Sequence, residues 1–509
     1  MADTIARLIG DHEDGAPAIG APGRAWTSYG ALRRQSQEVR AALRAAGVGP
    51  RDRVAIVLPN GPEMAVAFVA IAQAATTAPL NPAYKEDEFA FYLEDLSAKA
   101  IVVAAGEEGP ARRAAEGLGL LVIELRADED GPAGAFALSA VGDPGAPAED
   151  GAPGPDDVAL ILHTSGTTSR PKIVPLLQSN VAASARNIAA SLALTSEDRC
   201  LGVMPLFHIH GLVAAVSASL AAGASISCTP GFDALRFYGW LGEVEPTWYT
   251  AVPTMHQAIL ARAPRNAEVI EKVRLRFLRS SSASLPGPVM TKLADTFGAP
   301  VVEAYGMTEA AHQMCSNPVE PGRQKPGLVG LAAGPEVRIA HEAEDHLIEG
   351  TGEVVISGPN VTPGYESNPE ANAKNFFEAE GKRWFRTGDQ GAFDEEGYLG
   401  LTGRLKEIIN RGGEKVSPLE VDGVLSDHPA VAQCVTFAVP HAKLGEEVAA
   451  AVVLKDGESA TDREIRDFAA ERLAAFKVPR QVLILGEIPK GATGKLQRIG
   501  LAEKLGLGT

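Results

Sequence analysis

The chain has 509 residues, 45% of them hydrophobic and 22% charged, with a net charge of −17. That length exceeds one small core, so at least two domains are expected, with the balance of a soluble globular protein. The acidic balance disfavours nonspecific nucleic-acid binding, since each phosphate contact needs a cation, and no apolar run approaches the roughly 20 residues that span a bilayer. The start of the chain has no signal-peptide core, and Gly508-Thr509 is no peroxisomal or retention tail. Cys200, Cys228, Cys315 and Cys434 are scattered without a Cys-x-x-Cys pair. This suits a reducing compartment, argues against a structural zinc site, and makes the cytoplasm the expected location.

In chain order, alanine content and apolar spacing predict helices over 26–48 and 62–75, with short β-branched runs at Arg53–Leu58 and Ala100–Ala104. Such alternation predicts α/β layers. Residues 141–157, rich in Pro, Gly and acid, read as an exposed mobile loop. That loop leads into 158-VALILHTSGTTSRPK-172, an apolar run that breaks into hydroxylated residues and glycine and then meets Lys172. A buried strand opening into small residues brings N–H groups and hydroxyls close to an anion, and a lysine adds a point charge. These are the parts of a triphosphate grip, although alone they also describe an ordinary Ser/Thr turn. It is not a Walker A loop, because no Gly-Lys-Ser/Thr follows Gly166. Ile173 directly after Lys172 is β-branched and avoids positive φ, so the loop must exit extended.

Further along come 204-MPLFHIHG-211, where His208 and His210 would share a face if the segment were a strand, then 279-RSSSASLPG-287, 303-EAYGMTEAAH-312 and 386-RTGD-389. A turn-rich β stretch over 384–404 precedes a boundary near 403–406. Beyond it a strand Lys406–Asn410, a helix Leu419–Ser426, a strand Val431–Ala438, a helix Asp462–Ala474 and a strand Val478–Leu485 are expected. The last motifs are 404-RLKEIINRGGEKVSP-418 and 488-IPKGATGK-495.

In this order and over nearly the whole length, these motifs resemble the adenylate-forming superfamily of acyl-CoA synthetases, luciferases and peptide-synthetase adenylation domains. The resemblance implies a large N-terminal multi-layer α/β domain, 1–403, for ATP and acid. It also implies a small mobile α+β C-terminal domain, 404–509, hinged at Lys406. Thr164, Ser165, Gly166, Thr167, Thr168 and Lys172 match the family's phosphate loop, whereas Ser169 and Ile173 stand where glycine is usual. Ser282, Glu303, Ala304 and Tyr305 fall in nucleotide-lining segments, Tyr305 offering a flat face to the purine. Thr308 would meet phosphate, and Glu309 is a hard oxygen ligand suited to Mg²⁺. Asp389 can take both ribose hydroxyls, with Arg404 nearby. Gly412 and Gly413 suit a pantetheine channel, and Lys495 is the lysine that enters the adenylation site.

The implied reaction uses ATP, Mg²⁺, coenzyme A and a small carboxylic acid. The acid is activated as acyl-AMP with release of pyrophosphate, then passed to the thiol of coenzyme A. Lys495, Thr308, Glu309 and His208 are the expected catalytic groups. His208, Ser282, Ser284 and His312 would form a short polar acid pocket. HTSGTTSRPK, PLFHIHGL, TWYTAVPT, RSSSASL and IINRGGEKVSPLEVD are similar in wording to the oxalate–CoA ligase group, which points to oxalate. Malonate, glycolate and a medium-chain fatty acid stay open as substrates, as does loading of a carrier protein or a luciferase-like oxygenation.

Overall fold

The computed structural model describes residues 3–149, 151–164, 171–489 and 496–508. Among the described residues the strands form four sheets, of nine, seven, six and five strands. The first three make a large N-terminal domain and the last the smaller C-terminal domain. Both larger sheets are mainly parallel. In one, Pro17–Gly20, Ser225–Cys228, Arg199–Gly202, Trp248–Ala251, Phe277–Ser281 and Val301–Met307 run side by side in the same direction. In the other, Leu121–Ala127, Ala100–Ala104, Arg53–Val57, Thr76–Pro79 and Val158–Thr164 do so.

The helix predicted over 62–75 spans Pro62–Ile71 and explains how the two sheets come together. Every residue in PEMAVAFVAI except Glu63 is buried. A helix apolar on all sides has to lie between layers, and residues of both sheets pack around it in one continuous core. The other early helix spans Tyr29–Ala45, where the Ser28 hydroxyl accepts from the Ala31 N–H and so sets its start three residues after the expected one.

Val158–Thr164 pairs antiparallel with Lys172–Leu177, and Thr164 faces Lys172. The chain thus leaves the phosphate loop fully extended at Ile173, as its β-branching requires. The expected β stretch over 384–404 resolves into Lys382–Phe393 and Leu399–Arg404, paired so that Asp389 sits opposite Arg404.

Two expectations for the C-terminal domain need correction. Residues 405–408 form a turn, and the strand begins only at Ile409 (Ile409–Arg411). The Leu405 N–H is drawn back to the Gly388 carbonyl at 2.9 Å, which bends Lys406 away from any strand. A strand absent from the expected list, Gly445–Leu454, lies at the centre of this sheet between Val431–His441 and Gln481–Ile484. Its helices begin where expected, Pro418–Ser426 capped by Ser417 and Asp462–Ala470 by a Thr461/Glu464 capping box, but the second ends at Ala470, four residues short of the expected Ala474. Lys415 reaches across to Glu342 of the large domain at 2.6 Å.

Candidate active site

Several of the predicted residues lie at the carboxyl ends of strands in the two larger sheets. Thr164 ends one parallel strand, Ser282 follows Phe277–Ser281, and Thr308 follows Val301–Met307. Open parallel sheets bind ligands beyond the carboxyl ends of their strands. Ser165, Gly166, Thr167, Thr168 and Lys495 lie outside the described residues.

One cluster gathers around Glu309. It sits in the short 3₁₀ turn Thr308–Ala310, is buried, and accepts a hydrogen bond from the Tyr365 hydroxyl at 2.8 Å. The Lys172 ammonium lies 4.3 Å from the centre of the same tyrosine ring. Burial pushes the Glu309 carboxyl above its usual range, and the Tyr365 bond and the Arg404 and Lys172 charges oppose that. Burial also pulls the Lys172 ammonium down, with Glu309 opposing and the Lys406 and Lys374 cations assisting. Among the described residues no three His, Cys, Asp or Glu side chains form a metal cage. A lone buried carboxylate suits Mg²⁺, which keeps several waters and binds through one or two carboxylates plus substrate phosphates.

A second cluster centres on Asp389. The Tyr305 hydroxyl donates to its Oδ2, and Arg404 Nε lies 3.2 Å from Oδ1. Two carboxylate oxygens offer about four acceptor sites, so Asp389 keeps capacity for two further donors while its orientation is fixed. Burial raises its carboxyl, with Arg404 and Tyr305 opposing.

The third cluster holds residues expected to line the acid pocket, and here the two motif histidines part. His210 opens a π-helical turn, His210–Ser217, so the segment is no strand and the two rings do not share a face. Gly211 permits the turn: a Cβ there would meet the Pro205 carbonyl oxygen at 2.3 Å. His210 Nδ1 is 3.0 Å from Ser282 Oγ, and its Nε2 is 2.6 Å from Thr250 Oγ1. Its ring centre is 5.0 Å from that of His312. His208 is half-buried beside Phe207, and Ser284 is exposed two residues beyond Ser282. Behind His210 stands Arg279, fully buried, 3.4 Å from both His210 Nε2 and Thr250 Oγ1, with Nη2 donating to Gln313 Oε1 at 3.1 Å.

The backbone here is strained into shape. Ser282, Ala311 and His312 have φ of 72°, 47° and 103°, and such residues cost about 1–3 kcal/mol each. Gly306 lies against this bend, where a Cβ would come within 1.8 Å of the His312 carbonyl oxygen. Glu303 is buried one layer back, and its Oε1 accepts the Leu285 N–H at 2.8 Å, which anchors the Ser282–Leu285 turn. Ala304 is also buried. In the C-terminal domain, Gly412 and Gly413 make the exposed turn between Ile409–Arg411 and Glu414–Val416.

Tyr365, Thr250, Arg279 and Gln313 were not singled out by sequence reasoning. Arg279 did carry a signal, as a lone charge inside the apolar-to-serine strand FLRSS, where charged residues are rarely buried.

Comparisons with known proteins show the family and the class. Residues 10–366 match the AMP-binding enzyme family, and residues 420–495 match the AMP-binding enzyme C-terminal domain. An oxalate–CoA ligase of Arabidopsis thaliana is 47% identical over 461 residues, covering 89% of this chain and 88% of the relative. One from Saccharomyces cerevisiae is 42% identical, covering 89% and 87%. The crystal structure of ATP-bound MatB from Rhodopseudomonas palustris superimposes with a TM-score of 0.85 at 29% identity, covering 99% of this chain and 98% of that one. The chain belongs to the AMP-binding enzyme family, the adenylate-forming superfamily. Within it, this protein is an AMP-forming acid–CoA ligase, and it uses ATP, Mg²⁺ and coenzyme A as that class does.

Proposed function

We propose that this ligase converts oxalate, ATP and coenzyme A to oxalyl-CoA, AMP and pyrophosphate. The observation that carries this reading is the pocket wall of His210, Ser282 and His312, closed behind by Thr250 and Arg279. Hydrogen-bonding groups backed by a buried cation suit a second carboxylate and leave nothing for a long hydrocarbon. The relatives named oxalate–CoA ligase support the same acid. His210 takes the place first expected of His208, with Ser282 and His312 beside it and Ser284 at the rim.

The reaction is mostly positioning and charge neutralisation. A carboxylate oxygen of oxalate attacks the α-phosphorus, a P–O bond forms, and the bond to pyrophosphate breaks. Thr164, Ser165, Gly166, Thr167, Thr168 and Lys172 hold the departing pyrophosphate, and Thr308 contacts phosphate. Glu309 would hold Mg²⁺, which neutralises phosphate charge when bound. Asp389 takes the ribose hydroxyls on its remaining acceptor sites with Arg404 alongside, and Tyr305, Ala304 and Glu303 belong to the strand beside the purine. Lys495 bridges the carboxylate and the α-phosphate as charge builds between them. The chain beyond Lys406 then turns about that hinge, exchanging the Lys495 loop for the Gly412–Gly413 turn. The thiol attacks the acyl carbon, and AMP leaves with one oxygen of the acid. Four buried free cysteines suit a cytoplasmic setting.

The test is pyrophosphate release with oxalate, malonate, glycolate, acetate and octanoate, with and without coenzyme A. Oxalate should give the highest kcat/KM. Turnover of octanoate with no turnover of oxalate would remove the substrate assignment.

A further inference from the structure

Arg279 is a fully buried cation, and among the described residues no carboxylate pairs with it. Its contacts are Thr250, His210 and Gln313, and its Nε has no hydrogen-bond partner. Burial pulls its pKa down to about 9, so it is charged at neutral pH. A buried charge without a counter-ion is costly, which calls for a reason to keep it.

Hydrogen-bond direction supplies that reason. A guanidinium only donates. Thr250 Oγ1 and His210 Nε2 therefore both accept from Arg279, each at 3.4 Å, and since Nε2 is an acceptor the 2.6 Å contact between them is the Thr250 hydroxyl donating to Nε2. That places the ring proton of neutral His210 on Nδ1, which donates to Ser282 Oγ at 3.0 Å. Ser282 is left with its hydroxyl proton to give to an acceptor in the pocket. Each step points positive charge towards the bound acid.

We propose that Arg279 is a positioning residue that selects acids with a second carboxylate, acting through Thr250, His210 and Ser282; this rests on the pocket reading above. A monoacid has its one carboxylate committed to the α-phosphate and leaves the field of Arg279 unanswered. A diacid brings the missing counter-charge. Arg279 also straps Phe277–Ser281 to His312–Ser316 through Gln313, and a purely structural strap would serve every acid alike.

The experiment compares kcat and KM for oxalate and glycolate, which differ by one carboxylate, in full-length wild type, Arg279→Met, Arg279→Lys and Thr250→Val. Thermal melting and the KM for ATP are measured on the same preparations. Arg279→Met should raise the oxalate KM about tenfold or more while glycolate moves about twofold or less, because losing a group that answers a buried charge is selective. Arg279→Lys should recover most of the preference. Thr250→Val, close to isosteric, should weaken it in the same direction, and it carries the test if Arg279→Met does not fold. An unchanged oxalate-to-glycolate ratio in the folded variants, or an equal loss for both acids, overturns the proposal. Wild type inactive with both oxalate and malonate removes the substrate reading and this proposal together, whereas a diacid-active wild type with an unmoved ratio removes this proposal alone.

Discussion

Glu303→Gln should make the stability of the large domain less dependent on pH. Glu303 is 2% exposed, its Oε1 is bound by the Leu285 N–H, and its Oε2 has no partner. Burial pushes its carboxyl from the ordinary 4.5 up to about 8. The folded value lies above the unfolded one, so the native state holds a proton that the unfolded chain has released between these values. Its contribution to stability is full below about pH 4.5 and is lost as pH rises through about 8. At ~1.4 kcal/mol per pH unit, the cost is about 2 kcal/mol at pH 6 and about 4.4 kcal/mol at pH 8. Glutamine keeps an oxygen for Leu285 and does not titrate. With an unfolding entropy of about 2.1 cal/mol/K per residue over roughly 400 residues, the ~2.4 kcal/mol difference corresponds to about 3 °C. Differential scanning calorimetry at pH 6, 7 and 8 should therefore find the Tm of Glu303→Gln gaining about 3 °C on wild type across that range. A Tm difference that stays constant with pH would refute the reasoning.

Tyr365→Phe removes the hydroxyl that donates to Glu309. The charged carboxylate loses a stabilising bond, so its pKa climbs further and the acid limb of pyrophosphate release moves to higher pH. A charge-assisted bond is worth ~1.5–3 kcal/mol, so the Mg²⁺ concentration for half-maximal rate at neutral pH should rise about tenfold or more. An unmoved acid limb and Mg²⁺ requirement contradict the assignment of Glu309. Lys495→Ala should lower adenylate formation by about 10²–10³-fold and spare thioester formation from supplied acyl-AMP. Lys406→Pro should do the reverse, and equal loss of both half-reactions in either variant counts against alternation about Lys406.

Contiguous signals were legible from the sequence and spatial ones were not. The Val158–Thr164 strand, the Tyr305–Glu309 pentad and the strand segment around Asp389 each carry their signal in consecutive residues. Ile173 even announced the extended exit that its pairing opposite His163 provides. Arg279, Thr250 and Gln313 come from three different strands, and no local spacing links them. Whether His208 and His210 share a face depended on strand against helix, and the π-helical turn that separates them follows from packing of Gly211 on Pro205. Gly445–Leu454 escaped notice because EEVAAAVVL is as apolar and alanine-rich as a buried helix. Its strand pairing is settled by neighbours on both sides.

The most direct measurement follows an oxygen atom. Oxalate labelled with ¹⁸O in both carboxylates is turned over with ATP and coenzyme A, and the products are weighed by mass spectrometry. Attack by the acid on the α-phosphorus followed by thiolysis predicts AMP carrying one ¹⁸O atom and unlabelled pyrophosphate. ADP with labelled orthophosphate, or AMP with no label, would contradict the acyl-adenylate route.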